Sequence, residues 1–216
     1  MVVIRSASTA DAPQIAAVMR DAWFAAYEGI IAPQIIDRVT APDGGARVRQ
    51  SFRTRPWQRM IAAVEPAKQS EPAGQAEPAG QAEPAGPAAP GIVGYASFGP
   101  ERDVLGMSWP YPRTAAGAEG RVAELYALYV HPARWSTGTG RALMDQVLAK
   151  VSSTGYQSIT LWVLEDNARA RRFYERAGFA PDDARHVLDD LGGVTEIRYR
   201  RALGPSTQAG QHAHAR

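Results

Sequence analysis

"AELYALYVHPARWSTGTGRALMDQVLAKV", residues 123–151, passes from an apolar, β-like run through a loop of small residues into a helical run. Leu143, Val147, Leu148 and Val151 recur at helical spacing after the loop, so one face of that helix is apolar. A strand that feeds through Gly138 and Gly140 into a helix N-terminus reads as an anion site or as a simple turn. The first N–H groups of a helix lack intrahelical partners, and the helix dipole adds partial positive charge there. Glycines let a phosphate approach the backbone. Arg141 adds a hint, because a cation in the first turn is unfavourable unless an anion joins it. The patterns GxxxxGK[ST] and GxGxxG are both absent, which excludes a nucleotide P-loop and the dinucleotide fingerprint.

Outward from this stretch, the chain has 216 residues, 45% of them hydrophobic, the size and composition of one globular domain or two small ones. A net charge of +2 makes no electrostatic case for nucleic acid. The absence of cysteine excludes disulfides, thiolate metal sites and a cysteine nucleophile. His212 and His214 stand alone in the tail and make no metal site. No apolar run approaches the roughly 20 residues that span a bilayer. The N-terminus lacks the charged and apolar regions of a signal peptide, so a cytoplasmic protein is expected.

Strands are expected at "VVIRSA", "WQRMIAAVE", "GIVGYASFG", "RVAELYALYV", "SITLWVL" and "VTEIRYRRAL". Residues 9–27 read as an amphipathic helix behind a Ser8/Asp11 capping box, and "PQIIDRV" as a short helix opened by Pro33. Residues 168–177 read as a helix with Asn167 at its N-cap and Gly178 at its stop. Between two strands stand four hexapeptides, "EPAKQS", "EPAGQA", "EPAGQA" and "EPAGPA", residues 65–88. Their only apolar side chains are Ala and Pro, so they predict a disordered insert at about 65–90. The tail 204–216 is expected to be disordered as well. The whole is expected to be a single domain over 1–203, an α/β (α+β layered) fold whose mixed, largely antiparallel sheet is flanked by helices.

"WSTGTG" (135–140) and "NARARRFYERAGF" (167–179) together resemble the two cofactor motifs of the GNAT superfamily, the acyl-CoA-dependent N-acyltransferases. "IRSASTADAPQIAAVMRDAWFAAYEGIIAP" looks like the opening helix pair of its bacterial members. The resemblance covers the chain apart from the repeat, residues 100–120 and the tail. It implies acetyl-CoA as co-substrate, its pyrophosphate held by Trp135, Ser136, Thr137, Gly138, Thr139, Gly140 and Arg141. It implies that the backbone of Leu128, Tyr129 and Val130 pairs with the pantetheine arm. Three positions depart from the family pattern: Trp135 replaces a Gln or Arg, Ser136 a frequent Gly, and Arg171 a small residue. Trp135 cannot hydrogen-bond a pyrophosphate as Arg would, so weaker cofactor binding is expected.

Joining an amine to a thioester needs a proton acceptor for the amine and a donor for the departing thiolate. By resemblance Tyr174 is the donor, and Glu124, fourteen residues before Gly138, is the base. Each has a plainer reading: Tyr174 packs with Phe173 and Ala177, and Glu124 is a salt-bridged strand residue. Another branch of the family carries a glutamate where this chain has Trp162, so that role does not transfer. Asn167 touches the cofactor or only caps its helix. His131 beyond the strand end reads as solvent-exposed. Trp23, Tyr27, Trp109 and Tyr111 are candidates for an acceptor pocket. The implied function is acetyl transfer to a small-molecule or peptide amine, by a monomer or homodimer with neither nucleic acid nor membrane as partner; a non-catalytic acyl-CoA-binding module is the alternative.

Overall fold

The computed structural model describes residues 2–66, 91–102 and 121–204. The expectations for residues 67–90, 103–120 and the tail, with Trp109, Tyr111, His212 and His214, lie outside those residues. The described strands are β1 (Val3–Ser6), β2 (Arg59–Glu65), β3 (Gly91–Pro100), β4 (Val122–Val130), β5 (Ser158–Leu164), β6 (Ala180–Leu188) and β7 (Val194–Ala202). The helices are α1 (Ala12–Ala26), α2 (Pro33–Val39), α3 (Ala46–Thr54), α4 (Thr139–Ser153) and α5 (Ala168–Arg176). All seven strands form one sheet in the order β1-β2-β3-β4-β5-β7-β6. Every neighbouring pair is antiparallel except β4 and β5. This is the mixed, helix-flanked sheet that the sequence predicts.

Parallel β4 and β5 need a crossover, and α4 supplies it. Its Leu143, Met144, Val147 and Val151 are buried against Ile61, Ala96, Ala123, Leu125, Ile159 and Leu161 of the sheet. Burying each such leucine or valine is worth about 1.5–3 kcal/mol. On the other face Ile15 and Val18 of α1 pack on Ala62, Val64, Ile92 and Tyr95. A third cluster, Ile31, Ile36, Leu164 and Leu188, closes the corner beside α2.

The sheet splits in the middle. β4 and β5 pair only from Val122–Leu125 against Ser158–Leu161, yet β4 runs on to Val130 and β5 to Leu164. Ser97 stands opposite Ala127 and Phe98 opposite Leu125, so Tyr126 is an extra residue in β4. A bulge of this kind bends its strand. It falls where β4 leaves β5, and Tyr126 is fixed there by a hydrogen bond from its hydroxyl to Pro100 O.

Two elements were not foreseen, α3 and β6. α3 has no buried residue and is held by capping. Asp43 accepts from the N–H groups of Gly45 (2.8 Å), Ala46 (3.1 Å) and Arg47 (3.0 Å). Gly45 has φ +83°, and a Cβ there would stand 2.5 Å from Ala12 C and O. β6, "APDDARHVL", lacks an apolar alternation and is half-exposed; its pairing with β7 makes it a strand.

The predicted capping box is present. Asp11 Oδ2 accepts from Ser8 N at 2.7 Å and Ser8 Oγ at 3.0 Å, and Arg5 grips both carboxylate oxygens at 2.7 Å. The Arg5 hydrogen bonds, helped by those of Ser8 and opposed by burial, lower the Asp11 pKa to about 2. A depressed carboxylate contributes stability above its unfolded pKa and loses it as pH falls through the folded one. Asp11→Asn should therefore cost about 1–2 kcal/mol at pH 7. Denaturant melts should show that difference shrinking between pH 4 and pH 2.

Candidate active site

The gap between β4 and β5 opens into a cleft of about 980 Å³. One wall is the edge of β4, Tyr126–Val130, which lies beyond the β5 pairing and has only β3 beside it; the other is Trp162–Leu164 of β5, paired only with β7. The cleft has two chemically different ends. Towards α4 and α5 it is lined by Ser136, Gly138, Gly140, Arg141 and a set of arginines. Towards α1 it is lined by Trp23, Tyr27, Tyr129 and Glu196.

The α4 end is built from the glycine loop. Gly138 is the N-cap of α4 at φ +90°, and nothing stands within 4 Å of where its Cβ would be. Its conformation, not crowding, demands glycine, and the space above it is open. Thr139, Gly140 and Arg141 begin the helix, so their N–H groups have no carbonyl one turn back. Gly140 lies against Phe173, whose ring would be 3.5 Å from an added Cβ. Thr137 Oγ1 bonds Arg134 O at 2.8 Å and stands 3.1 Å from Thr139 Oγ1. Neither Thr137 nor Thr139 lines the cleft; they fix the loop's shape.

Trp135 works by position. Its Nε1 donates to Val130 O at 2.8 Å, tying the loop to the end of β4. The Arg169 guanidinium sits 4.3 Å over its ring and reaches Ser136 Oγ at 3.3 Å. Arg169 of α5 thus places a cation over position 135, stacked on its indole. Arg172 and Arg176 of α5 line the same end and have no ion-pair partner among the described residues. Arg141 is 3.6 Å from Asp145 and largely exposed. Arg171 turns away from the cleft and donates to Tyr199 Oη (3.1 Å) and Glu165 O (3.0 Å). Asn167 lines the cleft, but its Oδ1 accepts from Ala170 N at 3.0 Å, so capping occupies it.

Leu128, Tyr129 and Val130 lie on the free edge of β4. Tyr174 stands between the two ends, its ring edge-on to Phe173 (5.3 Å) and Phe179 (6.1 Å). Burial, helped by Tyr129, raises its pKa well above the ordinary tyrosine value and keeps the hydroxyl protonated. Tyr27 and Tyr129 approach at 3.5 Å between hydroxyls, and Trp23 meets Tyr27 edge-on at 5.0 Å.

Glu124 is not on the cleft wall. It is 2% exposed, and Arg102 covers it. Arg102 N donates to Oε2 at 3.0 Å, while Nε (2.8 Å) and Nη2 both donate to Oε1. Arg102 lines the cleft in its place. His131 is not on the cleft wall: its Nδ1 accepts from Ala133 N at 3.2 Å, and its Nε2 lies 3.4 Å from Asp21 of α1. Sequence reading missed Arg102, Arg169, Arg172, Arg176 and Glu196. The α5 arginines were visible in "ARARRFYER"; nothing in the sequence alone brings Glu196 to the cleft.

A match to the Acetyltransferase (GNAT) family spans residues 58–179, more than half of the chain. The chain belongs to the GNAT acetyltransferase family. Among curated relatives, this GNAT chain is 39% identical over 101 residues to the mycothiol acetyltransferase of Geodermatophilus obscurus, covering 46% of this chain and 29% of that protein. It thus spans less than a third of the length of that relative. The uncharacterized N-acetyltransferase YuaI of Bacillus subtilis is 26% identical over 194 residues, covering 90% and 88% of the two chains. Among solved structures, the PaiA N-acetyltransferase of Thermoplasma acidophilum in complex with coenzyme A aligns at TM-score 0.60 with 16% identity, over 94% of this chain and 99% of that one. That likeness is one of fold. Among the described residues no helix is long and apolar enough to cross a membrane.

Proposed function

We propose that the protein transfers an acetyl group from acetyl-CoA to a primary amine by direct attack on the thioester. The observation that carries this reading is the cleft through the split sheet, basic at the α4–α5 end and aromatic at the α1 end. The residues fit the co-substrate. The open cradle over Gly138, with the N–H groups of residues 136–141, suits a pyrophosphate. Arg169, Arg172 and Arg176 suit further phosphate, and Arg169 offsets the weakness expected from Trp135. The free edge of Leu128–Val130 suits the amide-bearing pantetheine arm. Positioning amine and thioester in one cleft contributes up to about 7–11 kcal/mol of barrier lowering. Tyr174 donates a proton to the departing thiolate, and Trp23 and Tyr27 form the acceptor's wall. Glu124, enclosed by Arg102, serves as that arginine's anchor.

Acetyl-CoA at a hundredfold excess over its Kd should add about 2.7 kcal/mol of stability. For a chain of this size that raises Tm by roughly 5–10 °C in a thermal melt. Free CoA should then be released when primary amines are added. Stabilisation without CoA release from any amine supports a non-catalytic acyl-CoA-binding module. No stabilisation at millimolar CoA rules out the cofactor assignment.

A further inference from the structure

Among the described residues, the α1 end of the cleft holds one buried carboxyl group with an oxygen that no hydrogen bond satisfies. Glu196 of β7 is 5% exposed and lines the cleft. Its Oε1 is buried without a hydrogen bond among the described residues. A buried acid that only stabilised a fold would have its oxygens satisfied. Among the described residues, the groups that face it are these. From β6, its ladder partner His186 puts Nδ1 3.6 Å from Oε1. From β4 come Glu124 and the hydroxyl of Tyr129, from the end of α1 the hydroxyl of Tyr27, and after β3 the guanidinium of Arg102. Two strand positions on, Arg198 is engaged with Asp182 at 2.9 Å and lies 3.6 Å from Glu101. Arg102 forms its fork on Glu124. Among the described residues, the acid therefore sits in an aromatic pocket where its nearest charge partner is His186, and no arginine or lysine is ion-paired to it.

We propose that Glu196 receives the acceptor's ammonium group and takes its proton, an inference that rests on the acetyl-transfer reading above. An ammonium group matches the vacant need for charge, and the faces of Trp23 and Tyr27 suit a cation or the chain that bears it. The step balances. One ammonium proton passes to the Glu196 carboxylate, leaving a neutral amine. The nitrogen lone pair forms the C–N bond as the thioester C–S bond breaks. The second nitrogen proton ends on the thiolate sulfur by way of the Tyr174 hydroxyl. The Glu196 proton returns to solvent after the products leave. Burial, reinforced by Glu124 and opposed by Arg102, raises the Glu196 pKa to about 8, which makes this carboxylate a stronger base than an exposed one.

The test pairs steady-state kinetics with a direct titration. Primary amines from butylamine and spermidine to a short peptide with a free N-terminus are assayed with wild type, Glu196→Gln and Glu196→Asp from pH 6 to 10. At pH 7 Glu196→Gln should lose about 10²-fold or more in kcat/KM for the amine, with KM for acetyl-CoA within about twofold. Its rate should climb with pH as neutral amine accumulates, and Glu196→Asp should recover part of the loss. A structural residue would instead lose Tm; here Tm of Glu196→Gln at pH 8.5 should equal or exceed wild type, because a buried acid with a raised pKa costs stability once it ionises. Carboxyl-carbon NMR of the wild-type protein, with Glu196→Gln assigning the resonance, reads the same group without turnover. The Glu196 signal should titrate well above pH 5 and shift on adding butylammonium. A Glu196→Gln enzyme with wild-type amine kinetics overturns the proposal. So does a carboxyl that titrates near pH 4.5 and ignores butylammonium. If wild type neither binds CoA nor releases it with any amine, the acetyl-transfer reading itself fails, which is a different result.

Discussion

Tyr174→Phe should lower kcat by about 10²–10³-fold and leave acetyl-CoA affinity within about twofold. The substitution deletes one hydroxyl and keeps the ring that packs on Phe173 and Phe179. The residue stays in place, so the loss belongs to the chemical step: the thiolate must then leave without a positioned proton. The raised pKa sets the pH signature. A tyrosine that remains protonated donates throughout the assay range, so the deficit should be uniform from pH 6 to 10. Glu196→Gln behaves differently, because its deficit shrinks as pH rises. Combining the two substitutions tells whether donor and acceptor act in one step; non-additive losses mean that they do. Single-turnover rates with saturating acetyl-CoA check the prediction. Wild-type kcat in Tyr174→Phe leaves the tyrosine a packing role only.

The parts of this molecule that were legible in the sequence are those that local chemistry dictates. The strand, glycine loop and helix over residues 123–151 carry an apolar period, a left-handed glycine and a helix start, and each needs only its near neighbours. β5 and α5 were legible for the same reason, since Asn167 caps α5 and the apolar run of β5 is buried. β6 was not, because Asp182, Asp183 and Arg185 give it the pattern of a loop, and its strand character comes from β7 beside it. Glu196 escaped for a related reason. It shares its face of β7 with Arg198 and Arg200, which reads as a solvated face. That face is covered by the corner of α1 and α2 against Leu164 and Leu188, a long-range event that no local spacing encodes. The fold was therefore more legible than the site. Arg169 shows the same limit. The sequence shows an indole where an arginine is usual, but only the fold shows the arginine on top of it.

Glu124→Gln should act first on stability, at a cost of about 3–5 kcal/mol. The carboxylate is 2% exposed and takes three hydrogen bonds from Arg102, so the amide removes the charge that those bonds hold beside a partly buried guanidinium. Breaking one side of such a pair costs more than the pair was worth, because the orphaned charge keeps its desolvation penalty. Replacing Arg102 with Met in the same chain should recover part of the loss, whereas independent sites would add. Chemical denaturation measures both. The effect on catalysis follows from the neighbourhood. The Glu124 charge raises the pKa of Glu196 and Arg102 lowers it. Without the Glu124 charge, the Arg102 influence on Glu196 is no longer balanced. The acid limb of kcat/KM should then move below the limb of wild type, while the rate of the folded fraction on the alkaline plateau falls by less than about tenfold. The alternative assignment makes the opposite prediction. If Glu124 accepts the proton, Glu124→Gln loses about 10²–10⁴-fold in kcat/KM at neutral pH. That loss would persist after correction for unfolded protein and ease only as the amine itself deprotonates. In that case Arg102 is a gate over the base, not its permanent partner, and the role proposed for Glu196 passes back to β4.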